Sequence, residues 1–259
     1  MDIQKKLDSL LKRVEKPGRY IGGEVNSIRK NPAEMDTNFV FCFPDLYEIG
    51  MSYLGLQILY HEINRRENLY CQRAFAPAAD MEELLKRENI PLMTLETKQP
   101  LKEMDMVGFT LQYEMSFTTV LNMIDLAQIP VKASERGEDD PIIIAGGPCA
   151  YNPEPMADFI DVFLIGDGEE VLPEFLEIYG ECKKAGLSKT EFYQRVCSME
   201  GIYIPAFYTF EYNEDKTIKK ICKQYDKAPL PVKRAILPEI ESVDFPVNPI
   251  IPMIEAVHD

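Results

Sequence analysis

Short apolar runs alternate with segments of helical periodicity along most of this chain, and no other feature constrains the fold as strongly. Residues 39–43 and 142–145 are continuous apolar runs, as expected for strands buried on both faces of a sheet. Residues 51–65 place their apolar side chains on one helical face. Strands that alternate with helices at this pitch pair in parallel through right-handed crossovers. The pattern therefore predicts an α/β fold with a doubly wound, mainly parallel, Rossmann-like sheet.

The same pattern divides the chain into elements and segments. The predicted strands are residues 39–43, 69–75, 92–95, 106–111, 142–145 and 159–165, and the predicted helices are residues 3–14, 51–65, 81–88, 116–127, 169–179 and 187–199. Residues 203–212 and 217–225 predict a β-hairpin, and Pro-rich chain follows it. We expect an N-terminal helix and lead-in (1–35), a Rossmann-like domain (36–185), and a helix, hairpin and Pro-rich strap (186–259).

Composition narrows the classes of partner. The net charge is −15, from 43 acidic against 28 basic residues. Binding to nucleic acid depends on clustered Lys and Arg, so this balance argues against it for the chain alone. No apolar stretch approaches the roughly 20 residues that span a bilayer. The N-terminus also lacks the apolar core of a signal peptide. We therefore expect no membrane partner and a cytoplasmic location.

Cysteine and histidine spacing gives no metal site. The chain has 6 Cys and 2 His. No two cysteines stand in a C-x2-C or C-x3-C arrangement, and no Cys/His cluster has metal-ligand spacing. We predict reduced thiols and no metal ligands.

The candidate site residues share one property, since each lies at or just after the carboxyl end of a predicted strand. In doubly wound sheets this is the edge where ligands bind. The candidates are Asp45, Tyr47 and Gly50 in a D-x-Y-x-x-G loop, Thr110 and Gln112 after the fourth predicted strand, and Gly146 and Gly147 after the fifth. Taken singly, each also has a structural interpretation, because Asp45 could cap the next helix and Gly-Gly-Pro is a common turn.

A glycine-containing loop at residues 166–170 invites a dinucleotide-binding interpretation, which we reject. Val171 stands where the third glycine of a G-x-G-x-x-G motif would be. Asp167, Glu169 and Glu170 would also meet an incoming pyrophosphate with negative charge. These carboxylates suit a helix N-terminus but not an anionic ligand.

Together these motifs are similar to the N-terminal region of B12-binding-domain radical S-adenosylmethionine (SAM) proteins. The resemblance rests on the segments at residues 43–52, 75–77, 145–148 and 165–170 and covers essentially the whole chain. It implies a cobalamin-binding-type sheet followed by a radical SAM barrel, whose C-x3-C-x2-C thiolates hold a [4Fe–4S] cluster that cleaves SAM. No such triplet occurs here. We therefore expect the chain to stop before the barrel of the full-length relative, its implied partner.

The resemblance also implies roles for the candidates. In cobalamin-binding domains a D-x-H-x-x-G loop supplies histidine to cobalt, and Tyr47 stands at that position. A phenol keeps its proton at pH 7, so cobalamin is expected to bind without a protein imidazole on cobalt. Thr110 keeps the hydroxyl of the S-x-L element beside the nucleotide tail, Gln112 replaces the leucine of that element, and Gly146 and Gly147 match the paired glycines.

Two functions therefore stay open at the level of sequence. The first is a cofactor module that holds cobalamin against the barrel, with no catalytic residue of its own. The second is a scaffold that has lost cobalamin and presents a substrate or binds a partner, which the replacements by Tyr47 and Gln112 favour. In isolation, an apolar face meant for the barrel could also form a homodimer.

Overall fold

We describe residues 3–239 and 246–252 of a computed structural model of the chain. The helices are α1 (Ile3–Leu11), α2 (Gly18–Ile21), α3 (Tyr47–Met51), α4 (Leu54–Asn64), α5 (Ala79–Glu88), α6 (Phe117–Leu126), α7 (Gly168–Lys184) and α8 (Lys189–Val196). The strands are β1 (Thr37–Phe43), β2 (Leu69–Phe75), β3 (Met106–Thr110), β4 (Ile142–Gly146), β5 (Val162–Leu164), β6 (Ile202–Tyr203), β7 (Tyr208–Tyr212) and β8 (Ile218–Lys223). Within this part of the chain, no helix is long and apolar enough to cross a membrane.

The main sheet has the strand order β2-β1-β3-β4-β5-β6. Strands β1 to β5 pair in parallel, and β6 pairs antiparallel with β5. The chain moves outward from β1 to β2 and then crosses back to β3 on the other side of β1. This reversal places a topological switch point between the carboxyl ends of β1 and β3, where doubly wound sheets bind ligands. The predicted α/β fold with a mainly parallel, Rossmann-like sheet is confirmed.

Helices pack against this sheet, and its strands are apolar because they are buried. On one face α4 packs against α7, and α5 contacts α6 elsewhere in the fold. Every residue of β2 and β3 is buried. Local signals agree with the packing: α7 has acidic residues in its first turn and lysines in its last, and Ser188 and Glu191 form a capping box at α8.

The prediction of a strand at residues 92–95 is wrong. This segment makes only an isolated antiparallel bridge, between Met93 and Pro100. Its backbone bonds go elsewhere, because Leu92 N–H donates to the Leu126 carbonyl and Leu95 N–H to the Arg73 carbonyl. Leu92 and Leu95 are nevertheless buried. The apolar run therefore reflects burial of a loop against the core and not a place in the sheet.

The C-terminal segment forms the predicted hairpin, in which β7 and β8 pair antiparallel. The strap after it joins the carboxyl edge of the main sheet. Ala235 N–H donates to the Ile165 carbonyl at 2.8 Å, and Asp167 N–H donates to the Ala235 carbonyl at 3.1 Å. Further along, the Asn26 side chain donates to the Pro249 carbonyl at 2.8 Å. The end of the predicted strap, residues 253–259, lies outside the described residues.

Candidate cofactor-binding site

A cleft of about 400 Å³ opens at the carboxyl edge of the sheet, in the range typical of small-molecule sites. Strands β1, β3 and β4 form its floor, and helices α4 and α7 form its walls. The residues that line the cleft include Phe41, Leu59, Gly108, Thr110, Gly146, Gly147, Glu169 and Leu172, together with Tyr53, Tyr151 and Asp167.

Glycines keep the floor of this cleft open. A Cβ on Gly108 would lie 2.5 Å from the Phe39 ring, so that ring occupies the space of the missing side chain. Gly147 has φ +94°, a conformation that L side chains rarely adopt, and its Cβ would lie 3.0 Å from Thr110 Oγ1. A Cβ on Gly146 would make only ordinary contacts, the nearest being 3.4 Å to the Leu164 carbonyl oxygen. Gly147 is therefore required by the backbone, whereas Gly146 leaves usable space.

Thr110 gives the floor a polar group. Its side chain lies at the end of β3, and the residue is 5% exposed. Thr110 Oγ1 accepts a hydrogen bond from Gln112 Nε2. A hydroxyl is both a donor and an acceptor, so the Thr110 proton can still be donated to a ligand. Gln112, which departs from the expected leucine, therefore orients the threonine without itself lining the cleft.

The mouth of the cleft is negatively charged. Asp167 and Glu169 line it at the beginning of α7, and none of the described residues that line it is Lys, Arg or His. Asp167 Oδ2 accepts the Leu237 N–H at 2.8 Å, which ties the strap to this mouth.

Asp45 lies at the switch point itself, where it joins the loops that follow β1 and β3. Its Oδ2 accepts a hydrogen bond from the Tyr113 hydroxyl at 3.1 Å, and its Oδ1 accepts the Leu46 N–H at 2.7 Å. The bond to Asp45 raises the pKa of Tyr113. Helix α3 begins at Tyr47 without a side-chain cap. The aspartate therefore bridges two loops across the crevice and does not cap this helix.

Tyr47 and Gly50 lie on the other side of the loop, away from the cleft. The Tyr47 hydroxyl donates to Glu24 Oε1 at 2.9 Å, and its ring packs edge-on against Phe75. A Cβ on Gly50 would lie 2.4 Å from the Phe75 ring. Of the sequence candidates, Thr110, Gly146 and Gly147 thus line one cleft, and Gln112 contacts it through Thr110. Asp45 stands beside it, and Tyr47 and Gly50 pack toward β2.

Tyr47 ends in a buried ionic cluster that the sequence analysis missed. Arg73 on β2 is 0% exposed and donates to Glu96 at 2.6 Å and to Glu24 at 2.8 and 3.2 Å. Burial raises the pKa of Glu96. Burial alone would also raise the pKa of Glu24, but its hydrogen bonds and the charge of Arg73 lower it. The signal in the sequence was Gln72-Arg73 inside an otherwise apolar strand.

Lys98 lies at the edge of the same cluster. Its Nζ donates to the Tyr20 and Leu95 carbonyls at 2.7 and 2.8 Å, and burial lowers its pKa to about 8. The cluster therefore fastens the lead-in, β2 and the chain before β3 around the base of the Tyr47 loop.

Within the described ranges, 3–239 and 246–252, no group of His, Cys, Asp and Glu is arranged to hold a metal ion. All six cysteines are free thiols in the structure. Burial raises the pKa of Cys42 and of Cys149. The site offers polar and aromatic contacts to an organic ligand and no ligand set for a cluster.

The fold is Rossmann-like, and the cleft opens at the carboxyl edge of its sheet. Residues 55–205 match the family model described as radical SAM proteins, N-terminal. The chain therefore belongs to this family of N-terminal regions of radical SAM proteins. It is also 26% identical over 137 residues to an uncharacterized protein of Methanocaldococcus jannaschii.

The match to that relative covers 52% of this chain and 25% of the relative. The chain thus matches about a quarter of that protein's length. No solved structure matches the chain.

Proposed function

We propose that this chain is the cofactor-binding module of a radical SAM protein and that its cleft receives the nucleotide tail of a cobalamin. The corrin ring would then lie over the carboxyl edge, near Asp45 and Gln112. A bound cobalamin supplies a cobalt centre that can carry a methyl group or control a radical. The residues of this chain bind and orient it and perform no covalent step.

The floor of the cleft carries this proposal. Thr110, Gly146 and Gly147 were chosen from sequence as the elements beside a nucleotide tail, and they line one cleft of suitable size. Phe41, Leu59 and Leu172 give this cleft apolar walls for a flat ring. The Thr110 hydroxyl provides a donor for a ring nitrogen. A tail of base and ribose fits this combination of small floor, apolar walls and single donor.

The surroundings favour a cobalt that has no protein imidazole. Tyr47 replaces the expected histidine, and its hydroxyl is engaged by Glu24. Burial raises the pKa of Tyr47, so its phenol stays protonated at neutral pH. His61 lies on α4 and does not line the cleft. His258 lies outside the described residues.

Exposed apolar side chains at the same edge support docking against the rest of a radical SAM protein. They follow β1, β3 and β4, which are neighbours in the sheet, and they are Ile49, Leu54, Tyr113, Met115 and Tyr151. Exposed apolar side chains that share one edge of a sheet are a feature of interaction sites. The SAM-cleaving [4Fe–4S] barrel would meet the module here, over the cofactor. In isolation the same surface would favour a homodimer.

Titration of the purified chain with hydroxocobalamin and methylcobalamin tests the proposal, with binding followed by visible absorbance and calorimetry. We expect micromolar affinity. Gly146→Leu should abolish it, because the new side chain fills the cleft where a Cβ meets no strain. Gly18→Leu is the matched control, since a Cβ there has no neighbour within 4 Å. Absence of binding to the folded chain at ~100 μM, well above an ordinary cofactor affinity, would contradict the proposal.

A second function is favoured by one specific observation. The crevice at the switch point is bridged by the hydrogen bond between Asp45 and Tyr113, and Tyr47 is turned away toward Glu24. A module that has lost cobalamin and acts as a scaffold would keep these loops closed. The two functions differ in the titration above, because a scaffold takes up no corrinoid with or without the Gly146 variant.

A further inference from the structure

We propose that the cleft accepts the uncharged nucleoside part of its ligand, a base with its ribose, and that Asp167 and Glu169 select against phosphate at its mouth. This inference rests on the proposed function for the identity of the ligand. It assigns the charge preference to two named residues.

The N-terminus of α7 would by itself attract a phosphate. This helix has 17 residues, and the first N–H groups of such a helix carry a partial positive charge toward anions. Here Asp167 precedes the helix and Glu169 and Glu170 occupy its first turn. The negative charges of Asp167 and Glu169 offset the helix dipole where it faces the cleft, whereas Glu170 lines a different pocket. In this type of fold a helix N-terminus ordinarily attracts phosphate, but here the net charge around that N-terminus is negative.

The two carboxylates at the mouth are not neutralised by neighbours. No described Lys or Arg forms an ion pair with Asp167 or Glu169. Asp167 is exposed and accepts only a backbone N–H from Leu237, and Glu169 is half-buried. A phosphate at this mouth would meet both negative charges without a compensating cation. Each carboxylate should weaken binding of a phosphate about threefold to tenfold, as for charges several ångströms apart near a surface.

The interior of the cleft suits the neutral part of a nucleotide. Phe41, Leu59 and Leu172 offer apolar contact to a planar base, and the missing side chain of Gly146 leaves space beside them. The Thr110 hydroxyl can donate to a ring nitrogen. The carboxylate of Glu169 can accept hydrogen bonds from ribose hydroxyls. An ionised phosphate has no proton to donate to it. The same residues thus favour a nucleoside and disfavour its phosphate ester.

Calorimetric titration of the full chain with 5,6-dimethylbenzimidazole ribonucleoside and with its phosphate monoester tests this selection. We expect the nucleoside to bind about tenfold to a hundredfold more tightly at 0.1 M NaCl, because each of the two carboxylates contributes a factor of about three to ten. The difference should shrink at 1 M NaCl, because the screening length falls from about 10 Å to about 3 Å. In Glu169→Gln the ratio of the two affinities should fall to about the square root of its wild-type value, since one of the two charges is removed. Glu170→Gln is the matched control, because this neighbouring carboxylate does not line the cleft.

Equal or tighter binding of the phosphate, or equal effects of the two Gln variants, would overturn the inference. A parallel titration with hydroxocobalamin separates the two proposals. If hydroxocobalamin binds and the nucleoside does not, nucleoside selection is wrong and the cobalamin proposal stands. If the nucleoside binds with the expected preference and hydroxocobalamin does not, selection is supported and the cobalamin proposal fails. If neither binds, both are wrong.

Discussion

Replacing Arg73 with methionine should destabilise the protein strongly and in a manner that depends on pH. Arg73 is fully buried and donates three side-chain hydrogen bonds to Glu24 and Glu96. Methionine keeps much of the volume but leaves two carboxylates without their cation. Breaking a buried ion pair in this way costs about 3–5 kcal/mol. We expect the free energy of unfolding to fall by that amount at pH 7.

The pH dependence identifies the cause. Burial already raises the pKa of Glu96 in the folded wild type, and removing the Arg73 charge raises it further above the unfolded value. Such a group contributes its full stability below the unfolded pKa and loses it as the pH rises. Each unit of difference between the folded and unfolded pKa corresponds to about 1.4 kcal/mol of stability. The gap between wild type and Arg73→Met should therefore shrink by about 2–3 kcal/mol from pH 7 to pH 5.

Urea unfolding followed by circular dichroism at pH 5, 6 and 7 measures this gap. Arg73→Met combined with Glu24→Gln and Glu96→Gln should recover much of the loss at pH 7, because no unpaired charge remains. Arg13→Met is the control, since the ion pair of Arg13 with Glu88 is 41% and 42% exposed and should contribute under about 1 kcal/mol. A loss below about 1 kcal/mol for Arg73→Met, or a gap that is independent of pH, would refute this reasoning.

Three further predictions concern single residues. Because the pKa of Lys98 is lowered to about 8 in the folded state, the unfolded chain binds more protons between pH 8 and 10. Stability from this group therefore rises with pH, and Lys98→Met should remove about 1–2 kcal/mol of that rise between pH 7.5 and 9.5 in urea unfolding. Gly166→Ala should cost more than Gly186→Ala in thermal unfolding and should expose the strap to protease. Both glycines have positive φ, but only at Gly166 would a Cβ lie 2.1 Å from the Ala235 carbonyl oxygen. Tyr113→Phe should change stability by under about 1 kcal/mol, because the hydrogen bond of Tyr113 to the Asp45 carboxylate is exposed. Equal cobalamin association rates for the wild type and this variant would show that the bond does not close the crevice.

The order of strands and helices was accessible from sequence because it depends on local periodicity. The runs at residues 39–43, 69–75, 106–111 and 142–145 all became strands of the main sheet. Periodicity reports burial, however, and not hydrogen-bond partners. Residues 92–95 are apolar because Leu92 and Leu95 enter the core from a loop, and sequence could not distinguish this from a strand. For the same reason the two-residue strand β6 could not be predicted, because its pairing with β5 depends on residues that are far away in the sequence.

The candidate site was predictable in part for a similar reason. Thr110, Gly146 and Gly147 lie at the ends of adjacent parallel strands, so strand order alone brings them together. The positions of Tyr47 and Gly50 depend on which way a short helix turns after β1. The direction in which this helix presents Tyr47 is set by its contacts with Glu24 and Phe75, which are remote in sequence.

The sequence by itself determined the fold class, the edge of the sheet at which the cleft opens, and the glycines Gly146 and Gly147 that line its floor. These follow from side-chain period, from chain direction and from the absence of Cβ atoms, which are local properties. Only the tertiary structure decided that Arg73 bonds Glu24 and Glu96, that Asp45 meets Tyr113 across the switch point, and that Asp167 and Glu169 face the cleft. These contacts join residues far apart in the chain, and their geometry is fixed by how the helices and loops pack on the sheet.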